Sequence, residues 1–155
     1  MNTYTLDRWQ EVPCALDTVF AFFADAANLE AITPPFLHFH VLTPQPIAMR
    51  AGTVITYQLR LYGIPLRWRT VIADWRPGER FVDIQVRGPY RSWRHVHEFT
   101  ATPRGTSIHD HVTYRLPFGL LGRILGLPLV RRLLRHIFDY RQQVIARRFA
   151  AAACS

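Results

Sequence analysis

Three features of the sequence predict an α+β fold in which a curved antiparallel sheet wraps around a long C-terminal helix. Residues 129–149 repeat apolar side chains at helical spacing. Residues 52–116 alternate between apolar and polar side chains and are divided by turns rich in glycine and proline. Two short helical segments follow the first strand. A single long helix at the end of a strand-rich chain must bury its apolar stripe against the sheet.

The first quarter of the chain reads as strand, helix, helix, strand. Alternation over residues 3–12 predicts a strand that ends at a proline. Apolar residues at helical spacing then continue to Asp25, which can cap a second short helix over residues 26–32. Residues 36–42 alternate again and predict a second strand.

The turns between residues 52 and 116 predict which residues of five successive strands face one another. In chain order, the predicted pairs are Leu59 with Trp68, Tyr57 with Thr70, Ile55 with Ile72, Ile72 with Asp83, Thr70 with Gln85, Asp83 with His95, Gln85 with Trp93, His97 with Asp110, His95 with Val112, and Trp93 with Tyr114. These pairs all lie on one face, which we expect to be the inner one.

The opposite face is expected to meet solvent, because it carries Arg67, Arg69, Arg94, Glu98, His109, His111 and Arg115. Residues 81–87 leave an alternative open. Their apolar set is Val82, Ile84 and Val86, so a one-residue bulge would turn Asp83 and Gln85 outward.

The chain length and the positions of the two cysteines limit the class of protein that this sequence can form. The 155 residues suffice for one domain, which we expect to span residues 1–155. Cys14 and Cys154 lack metal-ligand spacing and no leader-like segment precedes the first strand, so we expect free thiols and a cytoplasmic location, with a disulfide as the alternative.

The net charge of +8 comes entirely from arginine, because the chain contains no lysine. Such a charge is typical of proteins that bind nucleic acid or anionic membranes. The arginines are scattered from Arg8 to Arg148 and accompany no nucleic-acid motif, so we expect no nucleic-acid partner. The oligomeric state is left open.

Residues 116–130 form an apolar run interrupted by glycines and prolines, and the run is too short to span a bilayer. We expect no stable membrane insertion. The run is interpreted as a short helix with a turn that packs over one end of the sheet, as a mobile lid, or as a patch that touches a membrane or a second subunit. The lid is the preferred interpretation.

Five polar side chains on the predicted inner face lie beneath a helix that contributes Arg141, and they are Asp83, Gln85, His95, His97 and Asp110. An arginine keeps its charge inside a protein, so it needs a carboxylate, water or a bound anion. Three interpretations compete: a structural network, a ligand-binding cavity, and catalysis by a histidine with a carboxylate.

The catalytic candidates are His97 with Asp110, or His95 with Asp83, because an imidazole beside a carboxylate can titrate near neutral pH. No catalytic residue is assigned. A metal site formed by the two histidines with Asp83 or Asp110 is conceivable. We expect no metal and no cofactor, because the same His-x-His spacing recurs at residues 38–40 and 109–111.

The order of elements and three sequence stretches resemble the START-like or SRPBCC superfamily, and within it the bacterial cyclase/dehydrase-like group. The stretches are ANLEAITPPFLHFHVLTP at 27–44, RLYGIPLRWRTVIADWRPGERFVDIQVRGPYRSWRHVHEF at 60–99, and YRLPFG and IFDYR at 114–119 and 137–141. The resemblance implies a helix-grip fold with a deep apolar cavity between sheet and helix. It also favours an inward Asp83 and Gln85. Members range from lipid and hormone binders to aromatase/cyclases, so the fold does not settle the activity.

We therefore expect a protein that binds a hydrophobic or amphiphilic small molecule, with Arg141 meeting an anionic end. The alternatives are a polyketide cyclase/dehydratase-like enzyme or hydrolase in the same cavity, and a membrane-surface or protein-interaction module. The expected ligand-binding residues are Tyr57, Trp68, Thr70, Phe81, Asp83, Gln85, Trp93, His95, His97, Phe99, Asp110, Tyr114 and Arg141.

Overall fold

The computed structural model describes residues 2–150 and residue 154, so the ends of the expected domain lie outside the described residues. Seven strands are formed: β1 (Tyr4–Val12), β2 (His40–Val41), β3 (Val54–Leu61), β4 (Ile64–Arg76), β5 (Arg80–Arg87), β6 (Ser92–Thr102) and β7 (Gly105–Arg115). The helices are α1 (Leu16–Phe23), α2 (Gly119–Leu121) and α3 (Leu127–Arg148), with short 3-10 turns at Ala26–Leu29 and Pro35–Leu37 and a π-helical turn at Gly122–Gly126.

The strands form one antiparallel sheet in the order β1-β7-β6-β5-β4-β3-β2, and α3 packs across its inner face. Leu134 and Phe138 of α3 belong to a core cluster that includes Trp68, Trp93 and Tyr114 of the sheet. The predicted α+β, helix-grip architecture is confirmed.

The predicted strand over residues 36–42 is wrong in its extent. Only His40 and Val41 pair with β3, and residues 35–37 form a 3-10 turn. Pro35 starts this turn, and His38 at its end has a left-handed backbone with φ of 45°. Both features interrupt an extended strand.

The predicted pairing of β3 with β4 is shifted by two residues. The structure pairs Tyr57 with Trp68 and Leu59 with Leu66, because the turn consists of Tyr62 and Gly63 alone. Their φ angles of 50° and 78° are typical of a type I′ turn, which needs only two residues. A shift of two preserves the face of every side chain, so the inner-face assignment survives.

The remaining predicted pairs of β4 to β7 that the ladders include are present, among them Ile72 with Asp83, Asp83 with His95, and His97 with Asp110. The predicted pair of Gln85 with Trp93 is not part of the β5–β6 ladder, which ends at the pair of Ile84 with Arg94. The bulges occur in the β4–β5 ladder and leave Asp83 on the inner face. Val82 faces Val96 on the outer side, where both are buried, so the apolar alternative for β5 is wrong.

The expectation of two free thiols is also wrong. The structure pairs Cys14 with Cys154 as a disulfide, and their Cα atoms are 5.2 Å apart. This link attaches the end of the chain to the loop between β1 and α1. The cytoplasmic location stays a prediction, and one that loses its thiol argument because disulfides persist mainly in oxidising compartments.

Within the described residues, no helix has the length and apolar character needed to cross a membrane.

Candidate ligand-binding cavity

An apolar cavity of about 160 Å³ lies between the inner face of the sheet, α1, the loop and turns that follow α1, and α3. The sheet contributes Ile55, Leu59 and Ile72, and α3 contributes Leu134 and Phe138. The walls are mostly apolar because these inward positions are the buried halves of alternating strands and of the α3 stripe. The cavity therefore lies where the sequence predicts a binding site.

Of the thirteen expected ligand-binding residues, nine line this cavity, and they are Tyr57, Trp68, Thr70, Phe81, Asp83, Trp93, His95, His97 and Arg141. Four others do not. Gln85 donates to the carbonyl of Tyr90 at 2.7 Å, and Phe99 packs in the core beside α1. Tyr114 is a buried core residue, and Asp110 is hydrogen-bonded to His95.

Sequence reasoning missed the wall formed by α1 and the residues that follow it. This wall includes Phe22, Phe23, Leu29, Ile32, Leu37 and Phe39, and Met49 of the next loop also lines the cavity. The helical spacing of Phe20 and Phe23 indicates an apolar face. Whether this face lines the cavity depends on how the 3-10 turns fold back over the sheet. The periodicity of a single segment does not predict that arrangement.

Two carboxylates and two imidazoles form a buried polar cluster at one side of the cavity. His95 Nε2 lies 2.7 Å from Asp110 Oδ1, and His97 Nε2 lies 2.9 Å from Asp83 Oδ2. The two rings are 3.6 Å apart between centroids. His97 Nδ1 is 3.1 Å from Asp110 Oδ1 but lacks the alignment of a hydrogen bond. Alternate positions of β6, with β5 and β7 on either side, bring these four side chains together.

The pKa values of the two histidines shift in opposite directions. Burial and the neighbouring His97 lower the pKa of His95 to about 4, although Asp110 opposes this shift. Burial also acts to lower the pKa of His97, but its contacts with Asp110 and Asp83 outweigh that effect and the net shift is upward. Near pH 6.5 the cluster therefore holds one neutral and one cationic imidazole.

Both carboxylates of the cluster remain ionised. Burial acts to raise the pKa of Asp110, but His95 and His97 hold it well below the ordinary value. The pKa of Asp83 is likewise lowered, because its hydrogen bond to His97 and the nearby positive charges outweigh its burial. Two anions, one cationic imidazole and the guanidinium of Arg141 then balance in charge.

Arg141 lies on the cavity wall without a carboxylate partner among the described residues. No ion pair within 4.0 Å involves it, and its buried Nε has no hydrogen-bond acceptor. Its guanidinium carbon lies 5.0 Å from the centre of the Phe138 ring. The buried Nε1 of Trp68, on the opposite wall, also lacks an acceptor. His97 Nδ1 has no aligned acceptor either, so three N–H groups of the cavity residues are left unsatisfied by the described part of the protein.

This arrangement can support three kinds of chemistry. The neutral His95 can accept a proton and the cationic His97 can donate one. Arg141 and Trp68 can bind an anionic or acceptor group. Asp83, His95 and His97 each offer a ligand atom, all within 4.8 Å of one another, so they could also hold a metal ion. The expectation that the cavity holds no metal stays a prediction.

The antiparallel sheet, the terminal helix and the apolar cavity between them define a protein of the START-like class. Residues 4–150 match the family model described as polyketide cyclase/dehydrase and lipid transport. The chain therefore belongs to this family, as the resemblance in the sequence predicts.

Solved structures with the same fold share little sequence with this chain. TTHA0849 from Thermus thermophilus superposes with a TM-score of 0.73 at 18% identity, covering 98% of this chain and 99% of that one. The di-domain ARO/CYC StfQ of the steffimycin biosynthetic pathway gives 0.73 at 15%, covering 97% of this chain and 51% of that one. The major latex-like protein 151 of Panax ginseng gives 0.68 at 10%, covering 95% and 97%. Among curated proteins, no sequence match was found.

Proposed function

We propose that the protein binds a hydrophobic or amphiphilic small molecule whose anionic end meets Arg141. The family description and the fold support the binding of an apolar molecule in general. Aromatic rings that surround the cavity would enclose the apolar body of the ligand, since Tyr57, Trp68, Tyr90 and Trp93 lie within 6 Å of one another in successive pairs.

One observation supports an anionic end on the ligand: Arg141 is a half-buried cation on the cavity wall, its buried Nε has no hydrogen-bond acceptor, and no carboxylate lies within 4.0 Å of it. A buried donor without an acceptor costs about 1–3 kcal/mol, and a charged donor costs more. A bound carboxylate, sulfonate or phosphate would satisfy Nε of Arg141 and recover that cost. Trp68 Nε1 could supply a second hydrogen bond to a polar atom of the ligand.

The size of the cavity limits what can be enclosed. Its volume of about 160 Å³ is close to that of an engineered apolar cavity, about 150 Å³, that binds benzene. A ligand larger than one or two rings therefore requires the residues between α1 and β2 to move away from α3 during binding.

Two related fluorescent probes test the proposal. They are naphthalene-1-sulfonate, which carries an anion, and naphthalene, which has the same two-ring apolar body without the sulfonate. The wild type is expected to bind both. Arg141→Met is expected to weaken the anionic probe at least tenfold and to leave the neutral probe within twofold, because a single charge-assisted contact contributes about 1.5–3 kcal/mol. Fluorescence titration measures both affinities.

Arg135→Met is the matched control, since Arg135 lies on the exposed side of the same helix. Equal loss of the anionic probe in Arg135→Met and Arg141→Met would overturn the role of Arg141. Failure of the wild type to bind either probe would overturn the cavity as a binding site. Mass spectrometry of the protein purified from its own host, followed by release of any retained compound, then identifies the natural ligand.

A second candidate function is acid–base catalysis of a cyclisation or dehydration in the same cavity, favoured by the pairing of a neutral and a cationic histidine. In the dehydration of a β-hydroxyketone, His95 would remove the proton next to the carbonyl, and His97 would protonate the departing hydroxyl. The carbon–oxygen bond breaks, a carbon–carbon double bond forms, and water leaves. Asp110 and Asp83 would orient the two rings.

This candidate is tested with 4-hydroxy-4-phenylbutan-2-one, whose dehydration product absorbs in the near ultraviolet. The expected result is a rate above that of buffer that falls at least a hundredfold in His97→Gln, because general acid catalysis contributes about 10²–10⁴-fold. Unchanged probe binding in the same variant shows that the cavity is intact. A wild-type rate equal to that of buffer counts against catalysis on this class of substrate and leaves the binding proposal standing.

A further inference from the structure

A second histidine cluster lies on the outer face of the sheet, where His109 and His111 flank Asp110 along β7 and face the opposite way. Asp7 of β1 pairs with His111 of β7, and Glu98 of β6 pairs with His109 of β7. A His-x-His spacing alone is weak evidence for a site, because alternate residues of any strand share one face. The neighbouring strands make this pair different, because each of them adds a carboxylate beside the imidazoles.

The distances between these side chains are short. Asp7 Oδ1 lies 3.0 Å from His109 Nε2 and 2.7 Å from His111 Nδ1. The other nitrogen of His109, Nδ1, lies 3.0 Å from Glu98 Oε2. The Trp9 ring stacks on His109 with 3.8 Å between centroids and 5° between planes. His109 is therefore held in one orientation by a carboxylate and an indole.

We propose that Asp7 Oδ1, His109 Nε2 and His111 Nδ1 form a binding site for a divalent transition-metal ion of the Zn²⁺ class. Two imidazole nitrogens and one carboxylate oxygen are ligands that Zn²⁺ accepts. All three ligand atoms lie within 4.8 Å of one another. A tetrahedral ion would retain a fourth position for water or for an incoming ligand.

Glu98 plays the part of an orienting residue for the ion. A histidine that binds a metal usually donates its other ring N–H to a carboxylate, which fixes the ring and raises its basicity. The contact of His109 Nδ1 with Glu98 has this geometry before any ion is bound.

Access and charge also favour the outer cluster. The side chains of Asp7 and His111 are 49% and 34% exposed, so a hydrated ion can reach them from solvent. Asp7 and Glu98 supply two negative charges on a protein whose net charge is +8. The bound ion would link β1 to β7, and Glu98 would extend that link to β6.

The test uses Zn²⁺ in calorimetric titration and Co²⁺ in absorption spectroscopy, both with the full chain. The wild type is expected to bind one ion here, with the intense visible bands of tetrahedral Co²⁺. Asp7→Asn and His111→Ala are expected to weaken binding at least tenfold, and Glu98→Gln about 10–100-fold with unchanged stoichiometry. Circular dichroism checks that each variant folds.

Two controls make the result decisive. His40→Ala removes a surface histidine that lies 3.6 Å from a glutamate elsewhere, and it is expected to bind like the wild type. Asp83→Asn alters the cavity cluster and is expected to leave this ion in place. Wild-type binding without tetrahedral bands, wild-type affinity in both Asp7→Asn and His111→Ala, or loss of the ion only in Asp83→Asn would each overturn the proposal.

Discussion

His95 and His97 are two residues apart and lie beside the same two aspartates. Near pH 6.5, however, His97 is protonated and His95 is neutral. The imidazole of His95 donates to a single carboxylate within hydrogen-bond distance, whereas His97 lies close to both. Burial penalises the charged form of His95, and the positive charge of the neighbouring His97 adds to that penalty, so together they outweigh the contact with Asp110. The second proton is therefore excluded from His95.

The stability of the protein should depend on pH through these two residues, with a maximum near pH 6.5. Because the pKa of His95 is lowered to about 4, the unfolded chain binds a proton between pH 6.5 and 4 that the folded chain does not. The free energy of unfolding should fall over that range by on the order of 3 kcal/mol. The raised pKa of His97 acts oppositely, so its stabilisation is present below pH 6.5 and lost as the pH rises through the folded value.

Urea unfolding at closely spaced pH values from 4.5 to 8.5 measures both arms of the curve. His95→Gln should flatten the acid arm, because glutamine can still donate to Asp110 and does not titrate. His109→Gln is the control, since the pKa of His109 is also raised and its removal should alter only the alkaline arm. An acid arm of full size in His95→Gln would contradict the assignment.

The residues of the candidate cavity could be predicted to the extent that strand alternation determines them. Asp83, His95 and His97 occupy positions of one parity on paired strands, so their shared face follows from the turns between them. Arg141 interrupts an apolar stripe, which is visible in the sequence alone. Asp110 could be assigned to the correct face, but its place beside His95, away from the cavity surface, depends on side-chain conformations that no periodicity encodes.

At the scale of the elements, the turns explain both the success and the failure of the predicted register. The turn between β3 and β4 contains two residues and not the four that the sequence suggests, because Tyr62 adopts a left-handed backbone that its residue type disfavours. The helix α3 and β1 lie within two residues of their predicted ends, since long periodic segments define their own limits. The segment 36–42 is too short for its periodicity to define its limits.

The segment before α3 exposes a row of apolar side chains. Phe118, Leu120, Leu121, Ile124 and Leu125 are 62–85% exposed, and none of residues 116–129 lines the cavity. The structure does not place this segment over the cavity, and its interpretation as a mobile lid stays a prediction. The interpretation as a surface patch for a membrane or another protein stays a prediction. Four exposed arginines, Arg123, Arg131, Arg132 and Arg135, accompany the patch without any acidic residue between positions 116 and 138.

We expect this patch to bind vesicles that contain anionic phosphatidylglycerol, with weaker binding at high salt. The double variant Leu121→Ser, Leu125→Ser should weaken co-sedimentation at least tenfold, because burial of each leucine contributes about 1.5–3 kcal/mol. Ile64→Ser is the control, since Ile64 is 68% exposed at the turn between β3 and β4. Sedimentation that is absent, or that does not respond to salt, would remove the membrane interpretation.

The link between Cys14 and Cys154 joins two residues 140 positions apart and should stabilise the packing of the C-terminal end. On chain entropy alone, closing so long a loop in the unfolded chain contributes about 5 kcal/mol. Adding a thiol reductant should lower the urea midpoint of the wild type by a corresponding amount. The double variant Cys14→Ser, Cys154→Ser should not respond to the reductant. Two titratable thiols in the native protein purified without reductant would contradict the pairing.

At the scale of the whole molecule, α3 connects two separate parts of the core. Phe138 and Leu134 pack with Trp68, Trp93 and their neighbours, while Ile145, further along the same helix, packs with the cluster around α1. The sheet contributes strands to both clusters. Loss of either cluster would therefore expose one end of the helix and weaken the other.

This connection predicts that the protein unfolds as one cooperative unit, in accordance with the single domain expected from the sequence. In scanning calorimetry the calorimetric and van't Hoff enthalpies should agree, with a heat-capacity change of about 2 kcal/mol/K for a chain of this length. Phe138→Ala should lower the free energy of unfolding by about 3–5 kcal/mol without splitting the transition, because Phe138 is 2% exposed. Phe118→Ala, at a residue that is 85% exposed, should change it little. Two resolved transitions in the wild type, or a Phe138→Ala variant in which one cluster melts before the other, would show that the two parts of the core are independent.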